Sequence, residues 1–336
     1  MTTSDFDRGS RMISGCGLSG MMSLTGERVD GRAIISSIAL LHDRSNGLGG
    51  GFAAYGIYPE HPDHYALHLM YYTSEAQDRT EKILAESFDV ALDERIPTRP
   101  HPGVVDPPAL MRYFVLPRSS VLEESGKSAE DFMLDKVMEV NAGVDDAYVF
   151  SSGKNMGAFK AVGYAEDIGA FFRLEEYQAY IWIGHSRFPT NTTGWWGGAH
   201  PFGLLDWAVV HNGEISSYGI NRRYLANFGY KCALQTDTEV ITYLFDLLIR
   251  KHRLPLEAAC MAMAPPFWYK IARMEPRKQR LARAIRTVYG GALLNGPFSV
   301  LVANSRGIVG FNDRIKLRPM VAARHGWPIG QGVGGR

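Results

Sequence analysis

Strand-like and helix-like stretches of this chain are grouped rather than interleaved. "GCGLSGMMSL" (15–24), "GFAAYGIY" (51–58) and "HYALHLMYY" (64–72) are short, apolar and β-prone. Similar runs lie at 111–116, 146–151, 157–163, 179–184 and 206–215, with a hairpin pattern at 296–313. Helical spacing runs from Gly31 through Ile34, Ile35, Ile38 and Leu41, and recurs at 73–88 and about 128–140. It then fills 217–230, 236–251, 255–263 and 277–288 in near succession. A doubly wound parallel sheet needs alternating β and α units, so this order predicts α+β layers instead. The Pro- and charge-rich segment at about 90–110 predicts a connecting loop.

The chain has 336 residues, 46% hydrophobic and 21% charged, enough for a large buried core. Its 36 basic and 35 acidic residues leave a net charge of +1, which gives no drive toward nucleic acid or a membrane surface. No apolar run has the length of a membrane span, and the N-terminus lacks the apolar centre of a signal peptide. Cys16, Cys232 and Cys260 are far apart and form no CxxC pair, which points to a reducing cytoplasm.

"GHSRFPTNTTGWWGGAHPF" (184–202) is too rich in glycine and proline for a helix or a regular strand. It follows the β-prone "AYIWIG" (179–184), so it is a long shaped loop leaving a strand, and its arginine and tryptophans suit a binding role. "GLGGG" (47–51) lacks dinucleotide-loop spacing and precedes a strand, so it reads as a turn. His61, His64 and His68 fall on a strand-like segment without a carboxylate on a shared face, and no metal site is expected. Cys232 and Cys260 read as small core residues. Cys16 is flanked by Gly15 and Gly17, which let backbone approach it closely. Cleavage before Cys16 would free an α-amino group, whose pKa of roughly 8 suits a general base. "HNGEI" (211–215) sets an Asn side chain and a Gly N–H in a tight turn, a means of holding an oxyanion as well as an ordinary Asn-Gly turn. "TDTE" (236–239) opens a helix, where Thr236 or Asp237 is a capping candidate.

"CGLSG", "HSRFPT", "HNGEI" and "TDTE", in this order, resemble the motifs of class II glutamine amidotransferases, a group of N-terminal-nucleophile hydrolases. The resemblance spans roughly residues 16–320. "HSRFPTNT", "GFAAYGIY" and "GWWGGAHPF" are most similar to the stand-alone glutaminase subunit of glutamate synthases and N-methylglutamate synthases. The C-terminal "HGWPIGQGVGGR" departs from the family pattern.

The resemblance implies a four-layer αββα sandwich. Residues 1–15 would be a leader removed as a propeptide, and 16–336 one amidotransferase domain with an insertion at about 60–178. It implies Cys16 as nucleophile, with Asn212 and Gly213 as the oxyanion hole. Arg187 would bind the α-carboxylate of L-glutamine and Asp237 its α-ammonium, with Thr190, Asn191 and His211 shaping the pocket. The implied reaction turns glutamine and water into glutamate and ammonia through a γ-glutamyl thioester. No cofactor is expected in this chain. FMN and iron–sulfur clusters belong to the expected synthase partner that receives the ammonia. The rival expectation is a non-catalytic subunit of the same fold that senses glutamine.

Overall fold

A computed structural model of the chain describes residues 15–188 and 194–324. The elements of the first half are β1 (Gly17–Met22), β2 (Val29–Asp30), α1 (Arg32–Ala39), β3 (Gly50–Tyr55), β4 (Tyr65–Tyr71), α2 (Ser74–Ser87), β5 (Phe88–Arg95), β6 (Ala109–Pro117), α3 (Ser119–Ser125), α4 (Ala129–Gly143), β7 (Ala147–Ser151), β8 (Met156–Ala161) and α5 (Ala165–Phe171). The second half adds β9 (Gln178–Ala179), β10 (Ile181–Ser186), β11 (Phe202–Leu204), β12 (Trp207–Gly213), α6 (Tyr218–Ala226), α7 (Asp237–Phe245), α8 (Leu256–Met263), α9 (Trp268–Ile271), α10 (Pro276–Val288), β13 (Phe298–Asn304) and β14 (Gly307–Asn312).

Two antiparallel sheets form the centre, in the orders β1-β10-β3-β8 and β11-β12-β13-β14. They pack face to face through β1 and β10 against β12 and β13. Helices α1 and α5 lie on the first sheet, and α7, backed by α6, lies on the second. The layers are therefore helix, sheet, sheet, helix, the α+β sandwich expected from the sequence. Because β3, β8, β10 and β12 are buried on both faces, these strands read as near-continuous buried runs instead of alternating ones. Phe52, Trp182, Ile183, Phe159, Val210 and Ala303 are all buried in this core.

A third antiparallel sheet, β5-β6-β4-β7, carries α2 and α4 and abuts β8 and β11. Residues 60–178 thus supply this sheet and also lend β8 and α5 to the first layer.

The structure corrects the loop expected at 90–110. Its first part is β5, an edge strand paired with β6 and shifted in register between Val90 and Leu92. Most of β5 is exposed, so its residues carry no buried-face pattern to betray a strand. His68 is a core residue of β4: Nδ1 bonds Ala158 O at 2.8 Å and Nε2 bonds the Tyr58 hydroxyl at 2.7 Å. Cys232 is buried in the core beneath the second sheet.

Register sets the site. Gly17 faces Ser186, Ser186 faces Gly50, and Gly50 faces Ala161. One end of the first sheet therefore gathers Cys16, Arg187 and the Gly49–Gly51 backbone.

Candidate active site

Cys16 sits one residue before β1. The N–H of Phe188 donates to its Sγ at 3.4 Å, and Arg44 Nε donates to its carbonyl at 3.4 Å. Burial pushes the Cys16 thiol above its ordinary value; the Phe188 N–H and the Arg187 charge pull it back without cancelling that effect. A thiol in this state needs a base to become a nucleophile.

Arg187 leaves the end of β10 and is 8% exposed. Its backbone is fixed by the loop before β3. Arg187 N donates to Gly49 O at 2.9 Å, and the Ser45 hydroxyl donates to Arg187 O at 3.0 Å. The glycine run at 47–51 is thus more than a turn. A Cβ on Gly49 would touch Arg187 Cδ at 3.4 Å, one on Gly50 would meet His185 O at 2.8 Å, and one on Gly51 would meet His200 O at 2.6 Å. Bare backbone at these positions lets β3 lie directly against β10, Arg187 and the His200 backbone.

The structure corrects the tight turn expected at "HNGEI": His211, Asn212 and Gly213 are the last residues of β12, paired with Val300, Ser299 and Phe298 of β13, and the chain leaves the sheet only after Gly213. Gly213 has φ +151°, and a Cβ there would stand 2.0 Å from Pro297 O and 2.9 Å from His211 Nε2. Asn212 is buried beside it. Thr236 caps α7 by accepting the Glu239 N–H at 3.2 Å, so the cap belongs to Thr236. The Asp237 carboxylate is directed elsewhere: Oδ2 accepts the Ile215 N–H at 3.0 Å, and Oδ1 lies 3.4 Å from His211 Nδ1. Burial pushes the Asp237 carboxyl up, but His211, the Ile215 N–H and the Thr238 hydroxyl outweigh it and hold the group below its usual range.

Behind these residues runs a buried chain of polar groups. His185 Nε2 donates to His211 O at 3.0 Å, and His200 Nδ1 lies 3.1 Å from His185 Nδ1. Thr238 Oγ1 is 2.7 Å from His200 Nε2 and 3.2 Å from His211 Nδ1. His200 Nδ1 is closer still to His185 Nε2, at 2.8 Å. Burial keeps both inner rings neutral, holding His185 down at about 3 and His200 well below its ordinary value. Among the described residues, His211 Nε2 and Ser186 Oγ are buried polar atoms without a hydrogen-bond partner.

Of the residues singled out in the sequence, Cys16, Arg187, His211 and Asp237 come together: the charges of Arg187 and Asp237 both act on Cys16, and Asp237 adjoins His211. Asn212 and Gly213 adjoin His211 in sequence and neither hydrogen-bonds Cys16 Sγ. Thr190 and Asn191 lie outside the described residues. Sequence reasoning missed His185, His200, Thr238, the Gly49–Gly51 packing and Lys160. His185 and His200 stood inside the conspicuous loop, and polar residues in an otherwise apolar or glycine-rich context were the available signal.

Residues 106–232 match the family described as class-II glutamine amidotransferases, so the chain carries a domain of this class. It also belongs to one family with a protein of Archaeoglobus fulgidus, described only as uncharacterized, to which it is 49% identical over 328 residues, covering 95% of this chain and 86% of that protein. The glutamine–fructose-6-phosphate aminotransferase of Sulfurisphaera tokodaii is 33% identical over 140 residues, which is 41% of this chain and only 24% of that enzyme. Among solved structures, glutamine phosphoribosylpyrophosphate amidotransferase from B. subtilis matches with a TM-score of 0.30 and 19% identity, over 49% of this chain and 30% of that one.

Proposed function

We propose that the chain is a glutaminase that hydrolyses L-glutamine and hands the ammonia to a synthase partner. The observation that carries this reading is the convergence on Cys16 of Arg187 and Asp237, drawn from three separate parts of the chain. A free amino acid bears one carboxylate and one ammonium on its α-carbon. Arg187 offers a planar fork for the first, and Asp237 a carboxylate held ionised for the second. Two buried polar atoms without described partners, Ser186 Oγ and His211 Nε2, suit a site that awaits a polar ligand.

The chemistry follows from these groups. Cleavage between Gly15 and Cys16 would leave Cys16 with an α-amino group. That amine takes the thiol proton as Sγ attacks the side-chain carbonyl carbon of glutamine. Asn212 and the Gly213 N–H would stabilise the oxyanion. Collapse expels ammonia, which carries away the proton, and leaves a γ-glutamyl thioester. Water, deprotonated by the same amine, cleaves the thioester to glutamate and restores the thiol. The recipient of the ammonia would be an FMN-dependent, iron–sulfur-containing synthase of the glutamate synthase type.

Ammonia release by the purified chain tests the reading, with N-terminal sequencing of the active species. Glutamine binding without any ammonia release would instead support a glutamine-sensing subunit. Neither binding nor release would end both.

A further inference from the structure

Lys160 lies on β8 and is fully buried, among apolar strand neighbours such as Ala158, Phe159 and Ala161. Lysine is almost never enclosed without a partner of opposite charge. Among the described residues no carboxylate forms an ion pair with Lys160. Its Nζ donates to the carbonyl of Gly197 at 2.9 Å and stands 4.3 Å above the Phe202 ring. The anion that acts on it from nearby, Glu239, accepts the N–H groups of Ala233 and Leu234 and the Tyr243 hydroxyl. A costly buried amine is thus directed at one loop carbonyl, where an apolar side chain would have filled the strand position at less expense.

Gly197 belongs to the loop that connects Arg187 to His200. Arg187 is held by Gly49 O and Ser45, and His200 is held against His185 and Thr238. Just before His200 the Trp195 ring folds onto Gly197 and Gly198, where a Cβ would lie 2.1 and 2.4 Å from ring atoms. This fold leaves the Gly197 carbonyl turned inward to Lys160. Register brings the parts together: Lys160 faces Gly51 across the β3–β8 pair, and a Cβ on Gly51 would be 2.7 Å from Lys160 Cα and 2.6 Å from His200 O.

We propose that Lys160 is a positioning residue for glutamine binding, clamping Gly197 so that the 194–200 segment is held against β3 and β8 beside Arg187. The role rests on the glutaminase reading for its substrate, but the clamp itself does not. Burial lowers the Lys160 amine to about 7, opposed by Glu239 and reinforced by Arg187, and in either protonation state an N–H remains for Gly197 O.

Lys160→Met keeps the length of the side chain and removes the donor. Two measurements are made on the wild-type and variant chains: amide hydrogen exchange of the peptide spanning 194–202, and steady-state glutamine hydrolysis. The clamp predicts faster exchange in that peptide by roughly tenfold or more. It also predicts a KM for glutamine raised roughly tenfold with kcat changed by less than about threefold. Lys160→Gln, which keeps an N–H donor on a shorter stem, should fall between the two. Unchanged exchange and KM in a folded Lys160→Met chain would overturn the proposal. So would failure of both variants to fold, since the lysine would then be holding the core and not the loop. A wild-type chain that neither binds nor hydrolyses glutamine would defeat the glutaminase reading, and the exchange measurement would still decide the clamp.

Discussion

Asp237 Oδ2 accepts the N–H of Ile215 at 3.0 Å, which ties the first turn of α7 to the end of the "HNGEI" segment. The bond lets one carboxylate serve two purposes: it joins two motifs, and it presents negative charge beside His211.

The two purposes separate on substitution. Asp237→Asn keeps an oxygen for Ile215 but loses the charge, so its melting temperature should stay within a few degrees of wild type, roughly a kcal/mol. Losing the charged contact with the substrate should lower kcat/KM for glutamine by roughly 30-fold or more, since such contacts are worth about 2–5 kcal/mol. Arg187→Lys should show a loss of similar size, because an ammonium lacks the bidentate fork. If both variants kept the wild-type KM while melting early, the two residues would be scaffold.

Cys16→Ala should abolish ammonia release without loss of fold, since among the described residues Cys16 Sγ makes one long hydrogen bond, from the Phe188 N–H. Circular dichroism serves as the control. Active wild-type protein should begin at Cys16. Full activity from chains that still carry Gly15 would remove the α-amino base and leave His211, whose Nε2 is buried without a hydrogen-bond partner among the described residues, as the alternative.

The buried lysine predicts a pH trend. Its amine is near 7 in the fold against an ordinary value of 10.5, so between these limits the unfolded chain binds more protons. Stability from this group therefore rises with pH across that window and is lost as pH falls toward 7. Glu239, pushed up by burial to about 7 from 4.5, acts oppositely below that range. Denaturant midpoints of wild type between pH 7 and 10 should climb relative to those of Lys160→Met. Parallel curves for the two proteins would show that the amine is not titrating in this window.

Gly51→Ala should be costly at the site and in the fold together. The residue has φ +153°, and the new methyl would meet Phe159 O at 2.2 Å and His200 O at 2.6 Å. Strain of this kind is worth roughly 1–3 kcal/mol or more, and His200 must shift to relieve it. A lower melting temperature and a raised KM are expected together. Gly143, whose added Cβ would meet nothing within 4 Å, provides the comparison: Gly143→Ala should be nearly neutral.

The four short motifs were legible in the sequence because their signals are local. A glycine on each side of Cys16, an Asn-Gly pair at the end of a strand, and a threonine before a helix announce themselves within a few residues. The α+β layering was legible too, because grouped strands and grouped helices follow from chain order. β5 was not, because an exposed edge strand buries no face and so has no periodicity to read.

What only the tertiary structure decided is which distant residues meet. Lys160 looked like any strand residue until the β3–β8 register set it opposite Gly51 and beneath the Gly197 carbonyl. His185, His200, His211 and Thr238 come from three elements and the loop between two of them, and join only where the two central sheets pack. The glycines at 49–51 gave no sign of their purpose, since that purpose is the space they leave for another strand's backbone. Local preference fixes what each segment becomes. Contacts across more than a hundred residues depend on sheet register and layer packing, which no single segment encodes.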